Sequence, residues 1–260
     1  MIKKSLAFIG AGRVSRFLLE SWRRASALPE RVLIVDPDDQ VRRKTKSLFP
    51  TVIEVESDLR EAAACGFIFL AVHPSDMAGV LTRLASLLTP AATVISLAPK
   101  WSLEKIQGEL TGFKRLARII PNVPSMVGRG FNPIVFGPDL DEADKRQLLD
   151  LFKPCGECLV VNEKKLAAYA LVAAMGPTCL WFQLQELISI GEECGLTPRE
   201  AHLAVLRMTG GAAAVLEDAG WPEEELVDLV PLKPLAGDEQ SIRKILRERL
   251  LPVWEKIRES

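Results

Sequence analysis

Gly10-Ala11-Gly12-Arg13-Val14-Ser15 is the stretch best suited to chemistry, because glycines at this spacing let backbone amides approach an anion. The first glycine permits a tight turn. The second removes the side chain that would stand between a diphosphate and a helix N-terminus. Ser15 takes the place of a third glycine, where a small residue still lets the helix pack on a strand. Two glycines alone are weak evidence, but the context here is specific. The apolar run Ser5–Ile9 precedes them, and Val14, Phe17, Leu18 and Trp22 follow at helical spacing, which predicts strand, turn and helix. A second apolar run, Arg31–Val35, closes on Asp36. An acid at that position accepts hydrogen bonds from an adenosine ribose and repels a 2′-phosphate. Two unit charges about 4 Å apart interact by roughly 4 kcal/mol at an effective dielectric of 20, so the pattern favours NAD. Arg42 and Arg43 lie near enough in sequence to pair with a 2′-phosphate, which keeps NADP possible. The bland alternative makes Asp36 a turn residue before Pro37.

The elements that must position this turn alternate in type. Val52–Val55 reads as a third strand, and Ser57 opens a helix to about Ala64. Gly66–Val72 and Thr93–Leu97 read as strands, separated by a helix over Asp76–Leu88 that Pro74 introduces. Ser102 is placed to cap a further helix, with Trp101 and Ile106 as its hydrophobic staple. Arg118–Ile120 and Asn132–Phe136 supply two more strands. This order predicts an α/β fold with a mostly parallel, doubly wound sheet. After about Val161 helical periodicity takes over. Thr197-Pro198-Arg199-Glu200 has the form of a capping box, and helices are expected over Arg199–Asp218, Glu223–Leu229 and Glu239–Arg258. Residues 1–161 therefore read as a dinucleotide-binding domain and 162–260 as an all-helical one.

Composition narrows the partners. The 260 residues carry a net charge of −1, which gives no global attraction to nucleic acid or to an anionic membrane. Five cysteines, and an opening apolar run that stops at Gly10, point to a reducing, cytoplasmic setting without a secretory leader. Leu166–Gln185 lacks any charge, yet Gly176-Pro177 interrupts it, so it is expected to be a buried core helix broken there and not a membrane span. Cys155-Gly156-Glu157-Cys158 has redox or metal spacing, but no further ligands accompany it. It leads toward an apparent strand at Leu159–Val161, which favours buried thiols, and no metal site is expected.

Three segments together resemble the pyrroline-5-carboxylate reductase family. They are Phe8-Ile9-Gly10-Ala11-Gly12, Leu70-Ala71-Val72-His73-Pro74, and the run from Arg118 through Pro121-Asn122-Val123-Pro124 to Val127-Gly128-Arg129-Gly130. Val94–Ala98 and the helices after Asn162 agree, so the resemblance spans essentially the whole chain. It implies a Rossmann domain followed by a helical dimerisation domain. It also implies NAD(P)H-dependent reduction of the C=N bond of a small cyclic imino acid, as in proline biosynthesis. The nicotinamide would lie near Ala71, Val72, His73, Pro74, Ala98 and Asn122, with the backbone of Val72 and Ala98 free to hold its carboxamide. Substrate would meet Asn122, Val123, Met175, Gly176 and Pro177, and a homodimer or higher homo-oligomer would complete each pocket with the partner's 231–237 loop.

The chain departs from the family pattern in two places. Members carry Ser-Gly-Ser-Gly-Pro where this sequence has Ala173-Ala174-Met175-Gly176-Pro177, so both hydroxyls are lost. They close the substrate site with Ser-Pro-Gly-Gly-Thr-Thr, where this sequence has Leu232-Lys233-Pro234-Leu235-Ala236-Gly237. Lys233 in the altered loop is a candidate to bind an anionic imino or keto acid and to donate a proton. His73 replaces the family's lysine, and an imidazole can carry a proton in catalysis, which makes it a second catalytic candidate. Lys100 replaces a small residue expected after Ala98. Two further readings stay open: a reductase of a different imino or keto acid, and a cofactor-binding scaffold or sensor that has lost the chemistry.

Overall fold

The computed structural model describes residues 5–55 and 58–258. β1 (Leu6–Ile9), β2 (Val32–Val35), β4 (Phe67–Leu70) and β5 (Thr93–Ser96) are buried at every position, as strands covered by helices on both faces must be. With β3 (Val52–Val55), β6 (Leu116–Ile119) and the antiparallel β8 (Ile134–Phe136) they form one seven-stranded sheet in the order β3-β2-β1-β4-β5-β6-β8. The order reverses beside β1, so the crevice at the ends of β1 and β4 is the topological switch point where such sheets bind ligands. The α/β expectation, with a Rossmann arrangement, is met.

Alternation along the strands makes two cores. Phe8 and Phe69 stack 4.9 Å apart on one face and pack against Trp22 and Phe152. Trp22 belongs to α1 (Arg13–Arg24), and Phe152 ends α6 (Glu142–Phe152). The Trp22 indole N–H donates to the Leu151 carbonyl at 2.8 Å, which satisfies the one polar atom that this ring buries. On the other face Ile9, Leu33, Ile68 and Leu70 meet α3 (Arg60–Ala63), α4 (Met77–Ala85) and α5 (Leu103–Glu109). Ser102 caps α5 by accepting the Lys105 amide. The expected start of α3 at Ser57 lies outside the described residues.

Two features differ from the sequence reading. α2 (Asp39–Leu48) and α6 fill stretches to which periodicity assigned nothing. The expected strand at Leu159–Val161 is a single bridge from Val160 to Ile134, and the strand β9 lies at Gly156–Glu157, between the two cysteines, paired with β7 (Gly130–Phe131). Glycine makes that pairing possible. A Cβ on Gly130 would stand 2.5 Å from the Cys155 carbonyl, and one on Gly156, at φ 117°, 2.3 Å from the Gly130 carbonyl.

Packing divides the chain into two compact units, Met1–Ala174 with Val253–Ser260, and Met175–Pro252. The change of pattern at Asn162 therefore precedes the change of unit. α7 (Leu166–Tyr169) and the turn of π-helix at Ala170–Ala174 still pack on the α/β unit, where Leu166 and Ala170 join Ile120 and Val135. The second unit holds α8 (Gly176–Glu193), α9 (Pro198–Asp218), α10 (Glu223–Asp228) and most of α11 (Glu239–Arg258). α11 carries Pro252 in its interior, where the boundary falls. α8 and α9 form an αα-hairpin: Gly195 takes φ 97°, the Leu196 amide returns to the Gly191 carbonyl, and Thr197 and Glu200 complete the expected capping box.

α8 is not the buried core helix that its uncharged sequence predicts. None of its residues is buried, and Phe182 is 63% exposed. The apolarity of the run marks faces that the second unit leaves uncovered. By length and hydropathy alone, Glu163–Glu193 would suffice to cross a membrane, a test that core and interface helices also pass.

Candidate functional site

The site begins where β1 ends. The Gly10 amide donates to the Val35 carbonyl at 2.7 Å, and the Ala71 amide donates to the Ile9 carbonyl at 2.8 Å. These bonds bring the turns after β1 and β4 together. Gly10 has φ 100°, and a Cβ there would lie 2.6 Å from the Ala71 carbonyl oxygen, so only glycine fits. Gly12 is different: a Cβ would meet nothing within 4 Å. Its lack of a side chain keeps open the space in front of α1. No side chain caps the N-terminus of that helix, and its first turn holds no acid. Unclaimed amides, a helix dipole and a cleared approach fit a diphosphate. Ser15 is buried and donates its hydroxyl to the Gly10 carbonyl at 2.6 Å, so the residue in the third glycine's place fastens the turn.

Asp36 has two tasks. One carboxylate oxygen accepts the Ala11 amide at 2.8 Å, and the other accepts the Asp38 amide at 2.9 Å. The acid thus locks the glycine turn to the end of β2 while keeping lone pairs for a ribose hydroxyl. Arg42 is buried and engaged: it donates to the Asp36 carbonyl and pairs with Asp39. Arg43 pairs with Asp39 at the surface, an exposed contact of little strength, and is the arginine here left able to turn toward a 2′-phosphate.

The neighbouring turns supply the next wall. His73 is exposed, with Nδ1 2.9 Å from the Ser75 hydroxyl, which donates in turn to Asp76. The Ala98 amide donates to Ser96 Oγ at 3.2 Å, and the Ala98 carbonyl accepts from Arg118, so both its backbone groups already have partners. Asn122 is also engaged. Its Oδ1 accepts the Phe131 amide at 3.1 Å, and its Nδ2 donates to the Ala173 carbonyl at 3.2 Å. One amide proton remains for a ligand. Asn122 thereby staples the Pro121–Pro124 turn to β7 and satisfies a carbonyl of the π-turn that leads into Met175, Gly176 and Pro177. Val123 stands at the surface of the same turn. Gly128, at φ 70°, ends this turn, and Ser125 donates to Asn132 at 2.7 Å beneath it. The Val-Gly-x-Gly pattern therefore serves the shape of the loop.

Sequence reasoning passed over Arg118. This residue is buried, donates to Glu163 at 2.6 Å and to the Pro99 carbonyl at 2.7 Å, and so ties β6 to the loop after β5 and to the start of the helices. Glu163 also accepts the Leu103 amide at 2.7 Å. Burial pulls the guanidinium down from its usual pKa, and Glu163 opposes that shift. The signal was present: an arginine in an otherwise apolar strand needs a partner.

Lys233 belongs to the second unit, where its ammonium stands 3.8 Å from Asp228 at the surface. Cys155 and Cys158 are thiols at neutral pH, since burial pushes them up to about 11 and about 12 from an ordinary value of 9. Among the described residues no group of His, Cys, Asp and Glu could hold a metal ion.

The chain is similar to known proteins in sequence and in fold. Residues 5–100 match the family described as NADP oxidoreductase coenzyme F420-dependent. The chain is 24% identical over 253 residues to pyrroline-5-carboxylate reductase 1 of Bacillus subtilis strain 168, covering 93% of this chain and 82% of that protein. It is 26% identical over 226 residues to pyrroline-5-carboxylate reductase of Pisum sativum, covering 86% and 81%. The fold matches the crystal structure of Plasmodium falciparum pyrroline carboxylate reductase with NADP bound at a TM-score of 0.82, with 21% identity over 100% of this chain and 97% of that one.

Replacing Asp36 by alanine is expected to weaken NADH binding and to move the NADH/NADPH affinity ratio more than tenfold toward NADPH, since even half of the ~4 kcal/mol charge repulsion exceeds the ~1.4 kcal/mol that a factor of ten requires. Fluorescence titration with both cofactors measures this, and an unchanged ratio contradicts the role given to Asp36.

Proposed function

We propose that this chain is a divergent member of the pyrroline-5-carboxylate reductase family, and we infer its activity from that reading. It is an NAD(P)H-dependent oxidoreductase acting on a CH–NH bond, and its substrate is a small cyclic imino acid, with proline as the product expected first. The observation that carries this reading is the likeness along the whole chain, with the cleared space at Gly12 and the uncapped α1 at the point where a dinucleotide must be held.

The bound cofactor supplies the hydride; the chain supplies position and charge. Gly12, Arg13 and Val14 offer their amides to the diphosphate, Gly10 and Ala11, whose amides are taken by Val35 and Asp36, shape the turn around it, and Asp36 takes the ribose. Ala71, Val72, His73, Pro74 and Ala98 form the wall behind the nicotinamide, and Asn122 fixes the height of the turn that faces it. Reduction of a C=N bond leaves the nitrogen needing a proton. His73 is our candidate to hold that proton, since its ring nitrogen already shares a hydrogen-bonded chain with Ser75 and Asp76 at the surface. Lys233 is our candidate for the substrate carboxylate, because its loop replaces the family's glycine- and threonine-rich one and Asp228, 3.8 Å away, holds it weakly. Val123 in the first unit, and separately Met175, Gly176 and Pro177 at the start of the second, are our further candidates to touch substrate. All five cysteines are free, which supports a reducing, cytoplasmic setting.

We also propose that the chain self-associates through the second unit. Trp181 and Phe182 on α8, Leu203 and Leu216 on α9 and Ile245 on α11 are all exposed, and large apolar side chains left uncovered on three helices favour cover by a second copy. Sedimentation equilibrium is expected to give a dimer or higher assembly, and a monomer at micromolar concentration contradicts this.

Oxidation of NADH or NADPH, followed by absorbance with pyrroline-5-carboxylate and a panel of imino and keto acids, tests the activity. Turnover is expected with at least one cyclic imino acid, and Lys233→Ala should raise its KM about tenfold, as loss of a charge-assisted contact does, while changing kcat less. Turnover of keto acids alone moves the chain to a different reductase class. Tight cofactor binding without any turnover makes it a sensor, and unchanged constants in the variant remove Lys233 from the site.

A further inference from the structure

A cavity of about 220 Å³ opens within the first unit beyond the loop that follows β5, apart from the switch-point crevice. Its polar lining is unbalanced. Lys100, Arg118, Lys164 and Arg258 face it with one carboxylate, Glu163, and the Ser102 hydroxyl. That carboxylate is already engaged, accepting both Arg118 and the Leu103 amide on one oxygen. Arg118 is 4% exposed, and its Nε is buried without a hydrogen-bond partner among the described residues. Lys100 and Lys164 make no ion pair among the described residues, and Arg258 lies over the Trp254 ring at 4.4 Å, a contact that leaves its N–H groups free. Once Glu163 has offset Arg118, three positive charges remain around one small space. These three side chains are exposed at the mouth of the cavity, and an excess of like charge there favours entry of an anion.

The rest of the lining selects the kind of anion. Leu166, Ala167 and Ile257 are buried and apolar, and they give the cavity a greasy floor under its charged rim. A bare inorganic ion would leave that floor uncovered. We propose that the cavity is a binding site for a small organic dianion, a dicarboxylate with a short carbon stem, whose charged ends are met by Lys100, Lys164 and Arg258 of the lining. Arg118 gives the occupant a route to the cofactor site, because the same guanidinium holds the carbonyls of Ala98 and Pro99. Lys100 thus finds a place here: it lies two residues after Ala98, which the proposed function gives to the nicotinamide wall, and it lines the cavity. Binding stands without the catalytic reading. An effect of the dianion on cofactor affinity rests on it.

Titration calorimetry and thermal unfolding with succinate, against potassium chloride of matched ionic strength, test the site without any turnover assay. Succinate is expected to bind saturably at submillimolar concentration and to raise the Tm, with orthophosphate at least tenfold weaker. Lys100→Ala/Lys164→Ala should lose binding by at least tenfold, while Lys164→Arg, which keeps the charge, should retain it and control for folding. Succinate behaving like matched chloride, equal binding by the double alanine variant, or orthophosphate binding more tightly than succinate would each overturn the proposal. A reductase assay that fails while succinate still binds would fault the catalytic reading alone.

Discussion

The approach of the Gly10 backbone to the Ala71 backbone is the constraint from which the rest of the site follows. With less than 3 Å between the place of a Gly10 Cβ and the Ala71 carbonyl, the turns after β1 and β4 share one small volume. That volume is the switch point of the sheet. It sets the start of α1, whose amides stand open, directly beside the turn that carries Val72, His73 and Pro74. Asp36 adds the third strand-end by holding the Ala11 amide, so the floor of the site is cross-tied before any ligand arrives. Preorganisation of this kind lowers the ordering cost of binding a flexible dinucleotide.

A second set of ties secures the opposite wall. Arg118 and Glu163 join the loop after β5, the strand β6 and the first helical turn, and Asn122 joins the next turn to β7 and to the π-turn. A π-turn frees a backbone carbonyl that needs a partner, and Asn122 provides one. The segment that passes from the first unit to the second is thereby anchored at its origin. Within Pro-Asn-Val-Pro, Asn122 holds backbone to backbone, and within Val-Gly-x-Gly, Gly128 and Gly130 shape the loop.

Much of this was legible because it depends on strong local signals. Apolar runs without polar alternation marked the central strands, the spacing of Gly10 and Gly12 marked the turn, and Thr197 with Glu200 marked the start of α9. The omissions share a cause. α2 carries Val41 and Leu48 in a helix otherwise polar, and α6 begins in charged residues, so neither showed the apolar stripe that periodicity detects. The strand at Gly156–Glu157 was missed because its pairing needs absent side chains and not apolar ones. α8 was misread as buried because hydropathy reports only that a face wants cover, and the cover here is not supplied by the unit itself. The roles of Asn122 and Arg118 depend on partners about 50 and 45 residues away, which no local pattern encodes. The substrate was the least legible part, since the segment 232–237 departs from the pattern that the resemblance leads one to expect.

Whether open amides at the first turn grip a diphosphate can be measured directly by calorimetric titration of NADH into the unmodified chain and into Gly12→Val. The account predicts saturable binding below millimolar concentration to the unmodified chain and a loss of more than tenfold in the variant, whose side chain would enter space now clear. Equal affinity in the two proteins, or absence of heat with the unmodified chain for both NADH and NADPH, would contradict it.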